Sequence, residues 1–206
     1  MESRMGILST ESHLYKDQHA KGLELLSLME MEIPDELVTG ERPLKRVTTP
    51  SGRPEYADCQ VDFNISHTKN LVICSMAEGR TGCDIELTSR KVSTAVSEKF
   101  FHPEEKAFMA DAQSEEEKRR RFMMLWVLKE AHIKLMGTSV ANLKETPSFL
   151  IEKNTIRCIA EKPFYYALYE GGGYVMATAF VRKEDRDNLK IKKYSEVPDF
   201  ALTAVN

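Results

Sequence analysis

Residues 71–87, Leu-Val-Ile-Cys-Ser-Met-Ala-Glu-Gly-Arg-Thr-Gly-Cys-Asp-Ile-Glu-Leu, hold two short β-forming runs on either side of a turn-like Glu78-Gly79-Arg80-Thr81. The first run, 71–77, is apolar apart from Ser75, and the second covers 82–87. Their spacing predicts two strands joined as an antiparallel hairpin. In the second strand Asp84 and Glu86 are two residues apart, so both carboxylates face one side while Ile85 faces the other. Neighbouring carboxylates repel one another unless a cation or water lies between them. One or two hard oxygens are what proteins offer Mg²⁺, with phosphate and water completing the shell. A solvated strand end would show the same Asp-x-Glu.

Downstream the pattern turns helical. Pro103-Glu104-Glu105 reads as a first helical turn, where a missing N–H costs little and acids suit the dipole. Ser114 with Glu117 fits a capping box opening a longer helix that runs through Arg119–Met136 and stops at Gly137. On that helix Trp126, Glu130 and Lys134 are four apart and form one ridge. An ion pair beside a half-buried tryptophan would look alike, and Lys129 reads as an ordinary helix-flank lysine. The last third reads as strands at 149–153, 156–161, 164–169 and 174–181, the final pair joined by Gly171-Gly172-Gly173.

Upstream, residues 10–31 read as a helix with Leu14, Leu23, Leu26 and Met29 as its apolar positions, ended by Pro34. No strand is evident before it. Residues 34–60 carry Pro34, Pro43, Pro50 and Pro54 and read as loop-rich. Phe63-Asn64-Ile65-Ser66-His67 offers donors suited to phosphate oxygens, although such a run is also common turn chemistry. Gly52-Arg53-Pro54 is a turn with one cation. Strands, helices and strands again make the fold class α+β.

The 206 residues suffice for one large domain or two small lobes, and 42% hydrophobic with 30% charged residues is ordinary globular composition. A formal net charge of −3 argues against a protein that coats nucleic acid. The sequence shows no apolar run long enough to span a bilayer, and its start lacks a secretory apolar core, so the expectation is a cytoplasmic protein with no membrane partner. Cys59, Cys74, Cys83 and Cys158 form no CxxC pair and read as free thiols.

In order along the chain, Gly52-Arg53-Pro54, then Phe63 to Thr68, Gly82 to Glu86, Phe100 to Glu105, and Trp126 to Lys134 resemble the motif series of the surfactin-synthetase-type 4′-phosphopantetheinyl transferases, in the holo-acyl-carrier-protein synthase superfamily. The resemblance covers roughly residues 50–181. It implies a pseudo-duplicated fold in which two similar lobes, each an antiparallel sheet packed with helices, close on coenzyme A. We expect a single domain over 1–206, with approximate lobes at 1–85 and 86–206. It implies transfer of the 4′-phosphopantetheine group of coenzyme A to a serine of an apo acyl or peptidyl carrier protein, with release of 3′,5′-ADP. Asp84, Glu86 and Glu130 would surround Mg²⁺ or Mn²⁺. His67 and Lys134 would contact the phosphates, Arg53 and Ser66 the 3′-phosphoadenosine end, and Lys21 stands where the family has a cation for the 3′-phosphate. Glu130 and Lys134 would be catalytic, as base and as stabiliser of the phosphate charge. A carrier surface is expected at Arg90, Lys91, Phe100, Phe101 and Arg119-Arg120-Arg121.

The short segment before Ser66 leaves two alternatives for the first lobe, a trimmed one or one completed by another copy, so monomer and homo-oligomer both stay open. A non-catalytic homologue that binds coenzyme A or a carrier is the alternative function. A metal-dependent phosphohydrolase or nuclease is a third, although such enzymes draw on more carboxylates or histidines than these motifs offer.

Overall fold

Two apolar strands organise the fold, each in the middle of a sheet because its side chains are buried along the whole length. The computed structural model describes residues 1–10, 14–91 and 94–206, with the side chains of Tyr15 and Thr94 outside the description. The elements before the first sheet crossing are β1 (Arg4–Ser9), α1 (Tyr15–Glu30), β2 (Arg46–Thr48), β3 (Pro54–Tyr56), β4 (Asp62–Thr68) and β5 (Leu71–Ala77). There follow β6 (Thr81–Leu87), α2 (Thr94–Phe100), α3 (Pro103–Ala110) and α4 (Glu115–Met136). The chain ends with β7 (Ser148–Glu152), β8 (Thr155–Ile159), β9 (Tyr165–Gly171), β10 (Tyr174–Phe180), α5 (Lys183–Asp187), β11 (Lys190–Lys193) and β12 (Ala201–Val205).

The fold is α+β, built on a four-stranded sheet in the order β11-β1-β5-β4 and a six-stranded sheet in the order β6-β10-β9-β12-β8-β7. Within them β1-α1-β4-β5 and β6-α4-β9-β10 trace the same path. In each the first strand pairs antiparallel with the last, and the last with the third. Helix α1 covers the first sheet through Leu25, Leu26 and Met29, and α4 covers the second through Leu125, Leu128 and Leu135. A third core of Met5, Ile7, Ile73, Cys83, Ile85 and Met176 lies between the sheets.

Several expectations change. The hairpin between 71–77 and 82–87 does not form. Strand β5 has both edges taken by β1 and β4, and β6 pairs with β10 instead. The turn at Glu78–Arg80 carries the chain from one sheet to the other, with Gly79 N donating to Asp185 Oδ2 at 3.1 Å. The lobe border expected at 85/86 thus runs through β6, all of which sits in the six-stranded sheet. A first strand with no evident signal in the sequence is present as β1, four of whose six residues are buried, and its outer edge is completed by this chain's own β11. Residues 63–67 are strand rather than turn. The helix expected from residue 10 is observed from Tyr15, and its expected start at residues 11–13 lies outside the described residues. The long helix matches its signals: Ser114 Oγ accepts from Glu117 N at 3.1 Å, and Gly137 closes it with φ of 68°.

Strands β4 and β6 lie side by side at the edges of their sheets, joined by side chains rather than by a main-chain ladder. Residues 62, 64, 66 and 68 all point from β4 toward β6, as period 2 requires. Asp62 Oδ2 accepts from Thr81 N at 2.8 Å and Asn64 Oδ1 from Cys83 N at 3.0 Å. Ser66 Oγ donates to Asp84 Oδ1 at 2.7 Å and Thr68 Oγ1 to Glu86 Oε2 at 3.2 Å. This seam carries the site.

Helix α4 can reach the seam because Gly82 leaves β6 bare beneath it. A Cβ there would stand 2.2 Å from Ala131 O and 2.5 Å from Leu135 N, both backbone atoms that cannot rotate away. Gly82→Ala is therefore expected to lift α4 and lower stability by about 2–3 kcal/mol. Chemical denaturation should show the loss, and an unchanged midpoint would count against the close approach.

Candidate active site

Ser66 and His67 from β4, Asp84 and Glu86 from β6, and Trp126, Glu130 and Lys134 from α4 line one cavity of about 380 Å³, with Arg90 at its rim. The i,i+2 spacing on β6 and the i,i+4 spacing on α4 each turn their polar groups to one side, and the seam brings the two sides together. Lys134 Nζ reaches Asp84 Oδ1 at 2.7 Å and Ser66 Oγ at 2.9 Å. Trp126 stacks on Phe122, with centroids 6.0 Å apart, so the indole is a firm wall.

The charges respond to one another. Burial, and then the negative charge of Asp84, push the Glu130 carboxyl up to about 7 against the pull of Lys134 and Arg90. Burial works against the Lys134 ammonium, but Asp84, Cys83 and Glu130 together outweigh it and the net shift is upward. Burial followed by Lys134 holds the His67 imidazole below its usual range, which favours the neutral ring.

The carboxylates suit a hard cation. Asp84 Oδ2 is buried without a hydrogen-bond partner, the kind of orphan atom that a cation satisfies. An all-oxygen donor set on three carboxylates suits Mg²⁺ or Mn²⁺ better than a softer metal. Among the described residues no three acids, histidines or cysteines stand close enough to hold an ion as they are. Both oxygens of Glu86 are engaged, Oε1 in an ion pair with Arg90 and Oε2 as acceptor from Thr68.

Two expected contacts lie elsewhere. Lys21 lines a separate cavity of about 590 Å³ with Ser9, Asp17, Glu24 and Ser195, and its Nζ is 2.7 Å from Glu24 Oε2. Arg53 is buried, with its guanidinium engaged inside the fold. It donates to Asp62 Oδ1 at 2.8 Å, to Thr81 O at 2.9 Å and to Lys134 O at 3.1 Å. It ties β4, β6 and α4 together at the site's back. Nothing in the turn Gly52-Arg53-Pro54 announces this, because the partners come from other elements.

The expected carrier surface divides. Phe101 is buried and stacks on Phe122 at 5.1 Å, and Phe100 packs partly buried against the same core. Arg120 is held by Glu170 at 2.6 Å and Arg121 by Glu117 at 2.6 Å. Successive arginines on a helix point about 100° apart, so such a run cannot form one face. Arg90 and Lys91 are exposed, and of the two Arg90 lines the cavity.

Lys129 is no flank residue. It is fully buried, 3.0 Å from Glu105 Oε2, and also donates to Thr146 Oγ1 at 3.0 Å. Asp62 has no part in the expected site, and Asn64 and Thr68 enter it only as members of the Phe63–Thr68 motif, with no role at the seam. The alternation of polar residues at 62, 64, 66 and 68 was the signal for them.

Among the described residues no helix is long and apolar enough to cross a membrane, and the four cysteines are free.

Comparison with known proteins places this site in context. The family model of the 4′-phosphopantetheinyl transferase superfamily matches residues 80–179, which run from β6 to β10 and include Asp84, Glu86, Glu130 and Lys134. The chain is 31% identical over 111 residues to the 4′-phosphopantetheinyl transferase gsp of Aneurinibacillus migulanus, covering 54% of this chain and 45% of that protein. It is 32% identical over 92 residues to the 4′-phosphopantetheinyl transferase HetI of Nostoc, covering 44% of this chain and 38% of that one. Against the 4′-phosphopantetheinyl transferase Sfp of Bacillus subtilis, identity is 28% over 152 residues, 71% of this chain and 67% of the relative. The chain thus spans less than half the length of the first two relatives. Over residues 80–179, which supply the sheet edge and helix that bear the carboxylates, the chain is similar to the 4′-phosphopantetheinyl transferase superfamily.

Proposed function

We propose that this chain is a 4′-phosphopantetheinyl transferase, moving the phosphopantetheine group of coenzyme A onto a serine of an apo acyl or peptidyl carrier protein. The observation that carries the reading is the convergence of Ser66, His67, Asp84, Glu86, Glu130 and Lys134 on one cavity, with a buried Asp84 oxygen left unpartnered. Asp84, Glu86 and Glu130 would hold Mg²⁺ or Mn²⁺, which when bound supplies charge neutralisation for the pyrophosphate.

The carrier serine oxygen attacks the β-phosphorus of coenzyme A, a new P–O bond forms, and the bond to 3′,5′-ADP breaks. Glu130 is assigned as acceptor of the serine proton, directly or through water. Lys134, held in place by Asp84 and Ser66, faces the charge that grows on the phosphate. His67 offers a neutral ring donor to the same oxygens. Trp126 walls the cavity and helps to exclude water. Arg53 acts at a distance, through the carbonyl of Lys134. Lys21 is assigned to the 3′-phosphate from its own cavity, so Lys21→Ala should raise KM for coenzyme A several-fold with kcat unchanged. An unchanged KM would remove Lys21 from the site.

Mass spectrometry of purified apo-carriers incubated with the protein, coenzyme A and Mg²⁺ tests the whole reading. A mass gain of one phosphopantetheine group, with 3′,5′-ADP released only when carrier is present, is the expected result. Release without carrier would indicate a hydrolase, and no release a binding homologue.

A further inference from the structure

We propose that Arg90 is an internal counter-ion that holds Glu86 away from a divalent cation until a pyrophosphate group draws the guanidinium off, so that cation and pyrophosphate enter together. The inference rests on reading the cavity as a site for both.

Both oxygens of Glu86 are already engaged, Oε1 by Arg90 and Oε2 by Thr68. A guanidinium and a divalent cation cannot share Oε1, because their charges repel. One partner must leave, and exposure says which. The Arg90 side chain is 52% exposed against 13% for Glu86, so Arg90 can swing into water at little cost. Lys134 plays the matching part at Asp84 but is not free to leave. It sits on α4, is bonded to Ser66 as well, and its own carbonyl is tied to Arg53. The cavity therefore has one anchored cation and one displaceable cation against three carboxylates. Pyrophosphate oxygens offer Arg90 the planar, two-pronged partner that its fork prefers. Reciprocity then requires pyrophosphate to strengthen cation binding by the same factor as the cation strengthens pyrophosphate binding.

The test is Mn²⁺ binding by electron paramagnetic resonance, with and without inorganic pyrophosphate, on the full chain. Arg90→Gln should bind Mn²⁺ about three- to tenfold more tightly than wild type when pyrophosphate is absent, since a competing charge is gone. It should also gain less from added pyrophosphate. Arg90→Lys, which keeps the charge, should stay near wild type without pyrophosphate. In a Glu86→Gln background the Arg90→Gln change should gain less than about twofold, because the contact it relieves no longer exists. Thermal unfolding of the variants keeps misfolding separate, and a half-exposed side chain should leave it unchanged. Unaltered Mn²⁺ affinity in Arg90→Gln, or an equal gain in both backgrounds, would overturn the inference alone. No Mn²⁺ bound by wild type even with pyrophosphate would overturn the cation reading of the site, and the inference with it.

Discussion

Glu130→Gln is expected to lower kcat by on the order of 10²- to 10⁴-fold while leaving the protein folded. The carboxylate lies on the cavity ridge of α4, between Trp126 and Lys134, and the substitution keeps its size but removes charge and basicity. If Glu130 serves only as a cation ligand, raised Mg²⁺ should recover the rate. If it takes the serine proton, saturating Mg²⁺ should not. We expect incomplete rescue, weighted toward the base role. Full activity at ordinary Mg²⁺ would leave Glu130 with neither role. The substitution also has a signature without substrate. In metal-free buffer the carboxyl is raised from its ordinary 4.5 to about 7, so the folded state binds its proton more tightly than the unfolded state. Stability then falls as pH rises through that window, because the charged form is the one that burial and Asp84 oppose. Gln lacks this loss. Thermal unfolding should show Glu130→Gln more stable than wild type above about pH 7 and no such advantage near pH 4.

Glu105→Ala should be the most destabilising of the changes considered, by about 3–5 kcal/mol. Lys129 and Glu105 are both completely buried, and their contact is 3.0 Å. Glu105 also accepts from Phe149 N at 2.9 Å and from His102 N at 2.8 Å, so α3, α4 and β7 meet at this one carboxylate. Its removal leaves an ammonium in the core with only neutral acceptors, Thr146 Oγ1 and Pro147 O. Burial already holds the Lys129 ammonium below its usual range, with Glu105 working the other way. In a chain of this size the loss corresponds to a fall in Tm of roughly 10 °C. Replacing both partners, as in Glu105→Gln with Lys129→Met, should recover much of it, since the buried charge leaves with its mate. A single variant within about 1 kcal/mol of wild type by urea unfolding would show that the pair is solvated.

Glu105 and Lys129 also show how far local pattern reaches. Both lie in stretches that carry the family resemblance, yet their pairing joins residues 24 positions apart on different helices, and no periodicity reports it. The same holds for Arg53, whose turn says only that a cation is present. Where signals are local, the reading and the structure agree. Ser114 and Gly137 bound α4 because a cap hydroxyl and a residue at positive φ act within one turn of chain. Asp84 and Glu86 share a face because strand geometry leaves no alternative. The predicted hairpin failed because β-propensity and a short turn say that two strands exist, not which edges they find. Strand β5 is apolar on both faces and took β1 and β4 as neighbours, which forced β6 into the other sheet.

Taken alone, then, the order of the residues determined the α+β class, the bounds of the long helix, and a carboxylate pair and a Glu-Lys ridge each with its polar groups on one side. These follow from interactions within a few residues. Tertiary structure decided which sides met. Strand β4 lies against β6 through side chains because both are sheet edges with unpaired polar groups to satisfy. Gly82 lets α4 lie on that seam. Only that long-range packing sets Lys134 against Asp84, Arg90 at the mouth beside Glu86, and Lys21 in a cavity of its own. Each depends on edge pairing and close approach between segments far apart in the chain, quantities that no local window contains.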